Sequence, residues 1–407
     1  MNDNPKPVFV RDRLTWLCYL LIGNYCYAMG AMGPLMPFMR AELKLDCTTA
    51  ALHFSAWALG VLIAGSTGER IMARLGRPRT AWLCGCALIT AITLLIAIHN
   101  PVVTICASLI CGFNGSTMGQ TLATILADRF GSERVIAITE ANIVASICTS
   151  LAPFVVSHAM KDAGTWRLAL VVPIVVFFFL VLCFHSVLRA PRREEQKKPA
   201  EGVLPKAYWA YWTVILLSVA AEWSLVFWSA EFLQRACKLP TTDAAQGTAA
   251  FLIAMFAGRI AGSRLSRHVR SSTLLAVASF VAIFGFLVFW LAPNPVLNIA
   301  GLFITGLGIS NFYPLTLSNA IGVVPDLAPL ATARVSVASG TAVLCAPLLL
   351  GFIADKSSIF TAYGVVGVLL VLAAIMAAVA NRAAAEHTAA VDIAKIALPS
   401  SALHLQD

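Results

Sequence analysis

The sequence predicts an all-α membrane protein in which twelve transmembrane helices form two pseudo-symmetric six-helix bundles. Three observations support this fold class: the composition, the length of the apolar runs and a repeat between the two halves of the chain. Of the 407 residues, 59% are hydrophobic and only 12% are charged, whereas soluble proteins contain about 25% charged residues. So small a charged fraction cannot cover a water-soluble body of this size, and a lipid bilayer is the expected environment.

Apolar runs of membrane-spanning length recur along the chain. The runs 168–188 and 363–380 contain no Lys, Arg, Asp or Glu. About 18 or more apolar residues suffice to cross a hydrocarbon core of about 30 Å. The predicted spans, numbered 1 to 12 in chain order, are 14–39, 49–68, 80–98, 102–127, 134–158, 168–188, 208–233, 244–265, 272–292, 295–320, 333–354 and 359–380.

Basic residues are concentrated in alternate gaps between these spans. With the N-terminus on the cytoplasmic side, 21 of the 29 Lys and Arg residues lie in the cytoplasmic segments or at the adjoining ends of the spans. This bias follows the positive-inside rule and predicts that both termini are cytoplasmic, in a cell (inner) membrane. The predicted organisation is a cytoplasmic N-terminus (1–13), a first bundle (14–188), a cytoplasmic linker (189–207), a second bundle (208–380) and a loose cytoplasmic tail (381–407).

The net charge of +9 raises the question of nucleic acid as a partner. The basic residues lie in short gaps between apolar runs, which is typical of loops at an anionic membrane face. We therefore predict contact with the lipid bilayer and no nucleic-acid partner. Most of the eleven cysteines lie inside apolar runs and are interpreted as small hydrophobic residues, so neither a disulfide framework nor a metal site is predicted.

The sequence contains none of the motifs that bind nucleotides or perform hydrolysis. It has no Gly-x-x-x-x-Gly-Lys-Ser/Thr loop for phosphates, no His-Glu-x-x-His and no nucleophile elbow. Every gap between predicted spans is too short to hold a catalytic domain. We therefore predict no enzymatic activity, no direct use of ATP and no cofactor.

The two halves of the chain share short sequence elements at nearly constant offset. Ala64-Gly65-Ser66 recurs as Ala261-Gly262-Ser263, and Ala152-Pro153 recurs as Ala346-Pro347. Gly112 in span 4 has a counterpart in Gly306 of span 10. Parallel repeats related by an axis along the membrane normal are a transporter architecture.

The gap after span 2 contains a recognisable loop motif. Residues 68–79 match the pattern Gly-x-Leu-Ala-Asp-Arg-x-Gly-Arg-Lys at Arg74, Gly76 and Arg77, and Ala73 stands at the aspartate position. With this motif, the repeat and the appearance of spans 10 and 11, nearly the whole chain resembles a member of the Major Facilitator Superfamily. The arginine that many proton-coupled members carry in helix 4 is absent, and Asn114 lies in that region.

The resemblance implies a monomeric carrier that moves a small organic solute by alternating access. An ion gradient, with the proton as the expected coupling ion, would drive it. Export of amphipathic compounds and import of a metabolite both remain open. The alternative class is a polytopic membrane sensor, receptor or intramembrane enzyme that transports nothing, and the repeat between the halves argues against it.

Glu222 is the most informative single residue. It lies near the middle of span 7, where a charged side chain costs at least about 2.5–3.5 kcal/mol and normally faces a cavity or a partner. We predict that it serves as a coupling site or contacts a cation; the alternative is a structural hydrogen bond to a neighbouring helix. With no basic residue expected at its depth, Glu222 favours cationic or neutral substrates over anions.

Four further charged residues are candidates for a gate. The resemblance implies that spans 5 and 8 meet between the halves, as do spans 2 and 11. Glu140 and Arg259 lie at similar depth at about 1.5 Å rise per residue, so we predict an ion pair between them that shuts the cytoplasmic side in the outward-open state. A second predicted pair joins Glu69 and Arg334. The alternative is that each charge reaches the interface alone.

Polar and aromatic residues at helical spacing are candidates for a substrate cavity. The resemblance implies that spans 1, 4, 7 and 10 line this cavity. Packing between helices is an equally good explanation for any one of them, since Thr, Ser and Asn often join membrane helices. The candidates are Asn24, Tyr27, His53, Asn114, Thr117, Thr121, Asn311 and Tyr313.

Overall fold

The computed structural model describes residues 10–184, 187, 202–266 and 268–397. The start of the predicted N-terminal segment, most of the linker 189–207 and the end of the tail therefore lie outside the described residues. Within the described ranges the chain is helical, with no β-strand.

Among the described residues, the first half of the chain, through α6, forms six α-helices. They are α1 (Arg13–Leu43), α2 (Cys47–Leu75), α3 (Arg77–Ala97), α4 (Pro101–Phe130), α5 (Arg134–Ala163) and α6 (Arg167–Phe184). The described part of the second half forms eight α-helices, because two of its spans are broken. They are α7 (Lys206–Arg235), α8 (Thr241–Gly247), α9 (Ala249–Leu265), α10 (Ser271–Leu291), α11 (Pro295–Ile309), α12 (Phe312–Val323), α13 (Ala328–Lys356) and α14 (Ile359–Ala397).

Eleven helical segments among the described residues are long and apolar enough to cross a membrane, by length and composition. The pairs α8–α9 and α11–α12 each count as one segment. The remaining helix, α1, has 31 residues but is not among the eleven. It carries Asn24, Pro34 and Pro37 within its length. The chain is therefore a multi-pass membrane protein.

Two predicted spans are interrupted where the sequence offers a local reason. α11 ends at Ile309 and α12 begins at Phe312. Pro314 has no N–H to donate to the carbonyl of Ser310, so an unbroken helix would lose that bond. In the other span α8 ends at Gly247, and the Thr248 hydroxyl donates to the carbonyl of Ala245 at 2.8 Å.

The last helix is longer than predicted. α14 continues past residue 380 to Ala397, through the segment expected to be a loose tail. The segment 383–390 is rich in alanine, which has the highest intrinsic helix propensity. The apolar run corresponds only to the part of α14 that lipid would contact, and the helix extends beyond the end of this run.

The two halves meet along three sets of helices. α1 contacts α7, α2 contacts α13, and α5 contacts α8 and α9. Phe54 of α2 stacks on Phe227 of α7 with 4.2 Å between ring centroids, and its edge meets Trp228. Gly33 of α1 lies so close to α7 that an added Cβ would overlap the carbonyl oxygen of Val226. The halves are thus in direct backbone contact near one end of the helices.

Candidate functional site

A buried ion pair joins the halves at one end of the molecule. The guanidinium of Arg40, in the last turn of α1, donates to the carboxylate of Glu231 in α7. The side chain of Glu231 is 2% exposed and that of Arg40 is 16% exposed. We call the end that contains Arg40, Glu231 and Asp355 the Arg40 end. A buried pair of this kind holds its two helices together, because separating the charges leaves one of them unpaired and poorly solvated.

The first turn of α2 is capped by both halves of the protein. Asp46, the N-cap residue, accepts from the backbone N–H of Thr49 at 2.7 Å. Asp355 of α13 accepts from the N–H groups of Cys47 at 2.8 Å and Thr48 at 2.6 Å. The first N–H groups of a helix have no partner within it. Contact between the halves therefore satisfies two backbone groups that either half alone would leave to water.

Further polar contacts close the same end. Lys161 of α5 pairs with Asp243 of α8 at 2.7 Å. Arg235 of α7 donates to the sulfur of Cys47 at 3.4 Å and lies 3.5 Å from Glu231. The sequence analysis did not select this network, because charges near helix ends look like ordinary loop residues. The signal available in the sequence was the acid at position 231, inside a predicted span.

Three cavities, two between the halves and one inside the first half, lie away from the Arg40 end. The largest of the three encloses about 830 Å³ and reaches from Glu222 to Ser266, after α9, and Ser271, the first residue of α10. We call this opposite end the Ser266 end. A second cavity of about 190 Å³ extends between α1, α5, α7 and α9, and a third of about 260 Å³ lies between α1, α4 and α5. Asn142 of α5 lines all three.

Glu222 and Arg259 face each other across this space. Nη2 of Arg259 lies 3.9 Å from Oε1 of Glu222. Both side chains line the 190 Å³ cavity and the 830 Å³ cavity, so the pair stands where these two cavities adjoin. The prediction that Glu222 has no basic residue at its depth is therefore wrong. Residue 259 is distant in the sequence, but the fold places α9 across the cavity from α7.

Two predicted cavity residues from span 10 also lie on the cavity wall. Asn311 and Tyr313 line the 830 Å³ cavity beside Glu222 and Arg259. The side-chain amide of Asn311 donates to the backbone carbonyl of Gly258 at 2.9 Å. Asn311 thus fixes the break between α11 and α12 against α9, directly next to Arg259.

Three other candidates lie in helix packing instead of on the cavities described. Asn24 donates to the carbonyl of Pro173 at 3.0 Å, and the Tyr27 hydroxyl donates to the carbonyl of Ala169 at 2.9 Å, so both bind α6. His53 is buried between the carbonyl of Thr49 and the hydroxyl of Thr104, 3.1 and 2.9 Å away. These differ from the prediction because polarity in a span does not reveal the direction in which a side chain points.

The candidates in span 4 bind their own helix. Asn114 donates to the carbonyl of Ile110, Thr117 to that of Phe113 and Thr121 to that of Thr117, at 2.7–2.9 Å. Thr117 and Thr121 are fully buried. A hydroxyl that bonds the carbonyl four residues back needs no other partner. The predicted stripe is thus a set of satisfied groups on α4, outside the cavity linings described above.

Glu140 has a different partner in this conformation. It accepts from Arg11 at 2.9 and 2.5 Å and from the Tyr19 hydroxyl at 3.2 Å. Arg259 pairs with Glu222 instead. The Glu140–Arg259 pair is predicted for the outward-open state, in which the cytoplasmic side is shut, and in the present structure the Arg40 end is shut. The pair therefore stays a prediction.

The second predicted pair also stays a prediction. Glu69, near the end of α2, and Arg334, in the second turn of α13, both have exposed side chains. The backbone carbonyl of Arg334 accepts from the indole N–H of Trp212 at 2.9 Å.

The loop motif lies at the α2–α3 corner. Gly76 links the two helices with φ of +79°, a positive value that favours glycine. Arg77, the first residue of α3, pairs with Asp128 of α4, and Arg74 lies in the last turn of α2. The partner Asp128 was not predicted.

Comparisons with known proteins agree with this architecture. The Major Facilitator Superfamily model matches residues 17–326. An uncharacterized MFS-type transporter of Yersinia pestis is 25% identical over 388 residues, which is 93% of this chain and 97% of the relative. A glucose transporter of Staphylococcus epidermidis is 23% identical over 192 residues, or 47% of this chain and 42% of the relative.

Solved structures of transporters share the fold. A bacterial homologue of the human lysosomal transporter Spinster, crystallised in an inward-facing and unoccupied conformation, superposes with a TM-score of 0.75 at 13% identity, covering 93% of this chain and 98% of that one. The nucleoside transporter NupG gives a TM-score of 0.71 at 13% identity, covering 91% of this chain and 99% of that one. The family match spans most of the sequence, and the chain is a membrane transporter that belongs to the Major Facilitator Superfamily.

Proposed function

We propose that this transporter is a monomeric secondary carrier that moves a small organic solute by alternating access and uses the proton gradient. Twelve spans would form its two six-helix bundles, with α1 as the twelfth. α1 is long enough to cross a bilayer, and it packs along α5 in its own half and α7 in the other. A helix enclosed in this way can carry more polar residues than one that faces lipid.

The observation that carries the proposal is the contrast between the two ends of the halves' interface. The Arg40 end is shut by a buried ion pair and by the shared cap of α2. The other end holds a cavity that reaches the α9–α10 connection. A carrier that alternates must break the first set of contacts and form a second set elsewhere.

The direction of this state follows from the charge distribution. If the protein lies in the inner membrane of a cell, the positive-inside bias predicts that the N-terminus and the α9–α10 connection are on the cytoplasmic side. We therefore propose that the Ser266 end is the cytoplasmic end and that the state described here is inward-open. The Glu140–Arg259 and Glu69–Arg334 pairs are proposed to shut that end in the opposite state.

Glu222 is the proposed coupling residue. Its side chain is 15% exposed, and a charge at this depth is tolerated only beside water or a partner. Exposure to one side of the membrane and then to the other changes the cost of its charged form. One of the relatives is a glucose transporter and one of the fold neighbours is a nucleoside transporter, which supports an organic solute.

Reconstitution in liposomes with a panel of labelled solutes, with and without an imposed pH gradient, tests the proposal. Wild-type protein should accumulate a solute only when the gradient is present. Glu222→Gln should lose this accumulation and keep exchange of the same solute across the membrane. A sensor or receptor would show no flux in either form, and that result would exclude the carrier.

A further inference from the structure

Within the proposed carrier function, the geometry points to a small organic monocarboxylate as the substrate class, with Arg259 as the residue that binds its carboxylate. The inference depends on which of the two charged residues in the cavity, Glu222 or Arg259, is more accessible to a ligand. The side chain of Arg259 is 53% exposed, whereas that of Glu222 is 15% exposed. A solute that enters from the Ser266 end therefore meets the cation first.

The pair between these residues is loose. Its separation of 3.9 Å is longer than a charge-assisted hydrogen bond, which is typically about 2.7–2.9 Å. A guanidinium offers five N–H donors in a planar fork that fits a carboxylate with two parallel bonds. The side chain of Arg259 is 53% exposed and lines two of the cavities, so its guanidinium is accessible to a ligand there. A soluble carboxylate can make the two-bond contact that Glu222 does not make.

The charge balance of the cavity favours one anionic group. Among the described residues that line the three cavities, Glu222 and Arg259 are the only ones with a formal charge. The cavity is neutral when both are charged and carries one positive charge when Glu222 is protonated. A monoanion restores neutrality in the second case. This overturns the preference for cationic or neutral substrates that Glu222 alone suggested.

The rest of the wall describes the body of the substrate. The first half contributes uncharged side chains, among them Tyr25 and Cys26 of α1, Gln120 of α4 and Asn142 of α5. The second half adds Trp223 next to the charged pair. An uncharged surface with a few hydrogen-bonding groups suits an apolar or hydroxylated body attached to the carboxylate.

Binding of the anion would load a proton as well. When the substrate carboxylate takes the donors of Arg259, Glu222 loses its partner, and a buried carboxylate without a partner is expensive. It therefore takes one proton from solution: one anion and one proton enter together, and the cavity stays neutral. Among the described residues, the other titratable side chains on the wall near this pair are Tyr313 of α12, beside Glu222, and Cys26 of α1.

Thermal shift of the purified full-length protein tests this with ligands that differ only in charge. Benzoate, benzamide and benzylamine share one body, and hexanoate, hexanamide and hexylamine share another. We expect at least one carboxylate to stabilise the wild type and its amide and amine to have no such effect. Arg259→Gln should abolish the stabilisation. Arg264→Gln, an exposed arginine on the same helix outside the cavity lining, is the matched control and should retain it.

Glu222→Gln separates this role from a structural one, because it should improve binding. The variant frees Arg259 of its partner, so the anion should bind more tightly than to wild type at pH 8. One proton binds with each anion. At pH values where Glu222 is ionised in the free protein, the affinity of the wild type for the anion should therefore fall about tenfold for each unit of increase in pH. In Glu222→Gln this dependence should disappear.

Three results would overturn the assignment: an amine that stabilises the wild type more than its carboxylate, an anion effect that survives Arg259→Gln, or no effect of either carboxylate. Failure of the carrier function is distinguishable from these. If an anion binds in an Arg259-dependent manner but no solute crosses the liposome membrane, the binding site is supported and the carrier function is excluded. If the gradient drives uptake of another solute and no anion binds, the carrier function is supported and the carboxylate substrate is excluded.

Discussion

Glu231 of α7 and Arg40 of α1 form a buried ion pair across the interface of the two halves. The second carboxylate oxygen of Glu231 and Nε of Arg40 are buried without hydrogen-bond partners among the described residues. The pair is therefore incompletely satisfied, and its net contribution to stability is small compared with the cost of breaking it from one side. Such a contact is suited to a gate, which must hold in one state and release in the other.

Glu231→Gln should open the Arg40 end. The change leaves the Arg40 charge buried without its counter-ion, and loss of one partner of a buried pair typically costs about 3–5 kcal/mol. A shift of only about 1.4 kcal/mol multiplies the open population about tenfold. Cys47 reports on this end because it is 1% exposed and touches Arg235. Its labelling by a membrane-impermeant maleimide, located by mass spectrometry, should rise about tenfold or more.

The control is the exchanged pair, Arg40→Glu with Glu231→Arg. It keeps opposite charges at the same positions, so protection of Cys47 should return toward the wild-type level. Labelling that is equally fast in the exchanged variant and in Glu231→Gln would show that the pair does not hold this end shut.

Asp355→Ala should also loosen the Arg40 end, through the cap of α2. The N–H groups of Cys47 and Thr48 would lose their acceptor, and loss of a cap costs about 0.5–2 kcal/mol. That cost applies only while the halves are in contact, so the open state gains in population. A Ser55→Cys reporter, whose parent hydroxyl donates across the interface to the carbonyl of Leu344, should be labelled faster in this background.

Asp46→Ala is the matched control for this experiment. Asp46 caps the same helix, but it belongs to the same half as α2. Its loss should lower the melting temperature to a similar extent and leave the labelling of the Ser55→Cys reporter unchanged. Equal acceleration by both alanine variants would mean that fraying of α2, and not separation of the halves, exposes the reporter.

Gly33→Ala should weaken the same end by steric means. A Cβ at this position overlaps the carbonyl oxygen of Val226 on α7, so the two helices must move apart, at a cost of about 1–3 kcal/mol. Gly65→Ala is the control, since no atom lies within 4 Å of its added Cβ. We expect a lower melting temperature and faster Cys47 labelling for Gly33→Ala and neither for Gly65→Ala. A normal melting temperature for Gly33→Ala would contradict the close contact of α1 and α7.

The helices could be predicted from the sequence because hydropathy is a local property. Glu222 stood out for the same reason, as a charge inside an apolar run. Its partner could not be predicted. The sequence indicates how deep a residue lies along its helix, but not how the helix is rotated or which helix packs beside it. Arg259 has acids at comparable depth on two other helices, Glu140 and Glu222, and only the packed structure distinguishes them.

The polar candidates show the same limit. Asn24 and Tyr27 are polar residues in apolar runs, yet they bond to carbonyls of α6, as Asn311 bonds to that of Gly258. Of these three, only Asn311 also borders the cavity. The Arg40–Glu231 pair was missed for a different reason. Both residues lie near the ends of α1 and α7, where a charged side chain can reach water, so the sequence did not indicate that either needs a partner.

The Glu140–Arg259 pair should be detectable as a cross-link in the state that the structure does not show. In the present state Glu140 binds Arg11 and Tyr19, and Arg259 binds Glu222, so cysteines at positions 140 and 259 should cross-link slowly. Glu231→Gln, which favours opening of the Arg40 end, should raise the yield of this disulfide several-fold because the Ser266 end shuts in exchange. The single-cysteine variants control for pairing with native thiols, and peptide mapping identifies the bond. If Glu231→Gln exposes Cys47 but leaves the 140–259 yield unchanged, the two ends are not coupled through this pair, and Glu140 serves only to hold the N-terminal segment through Arg11.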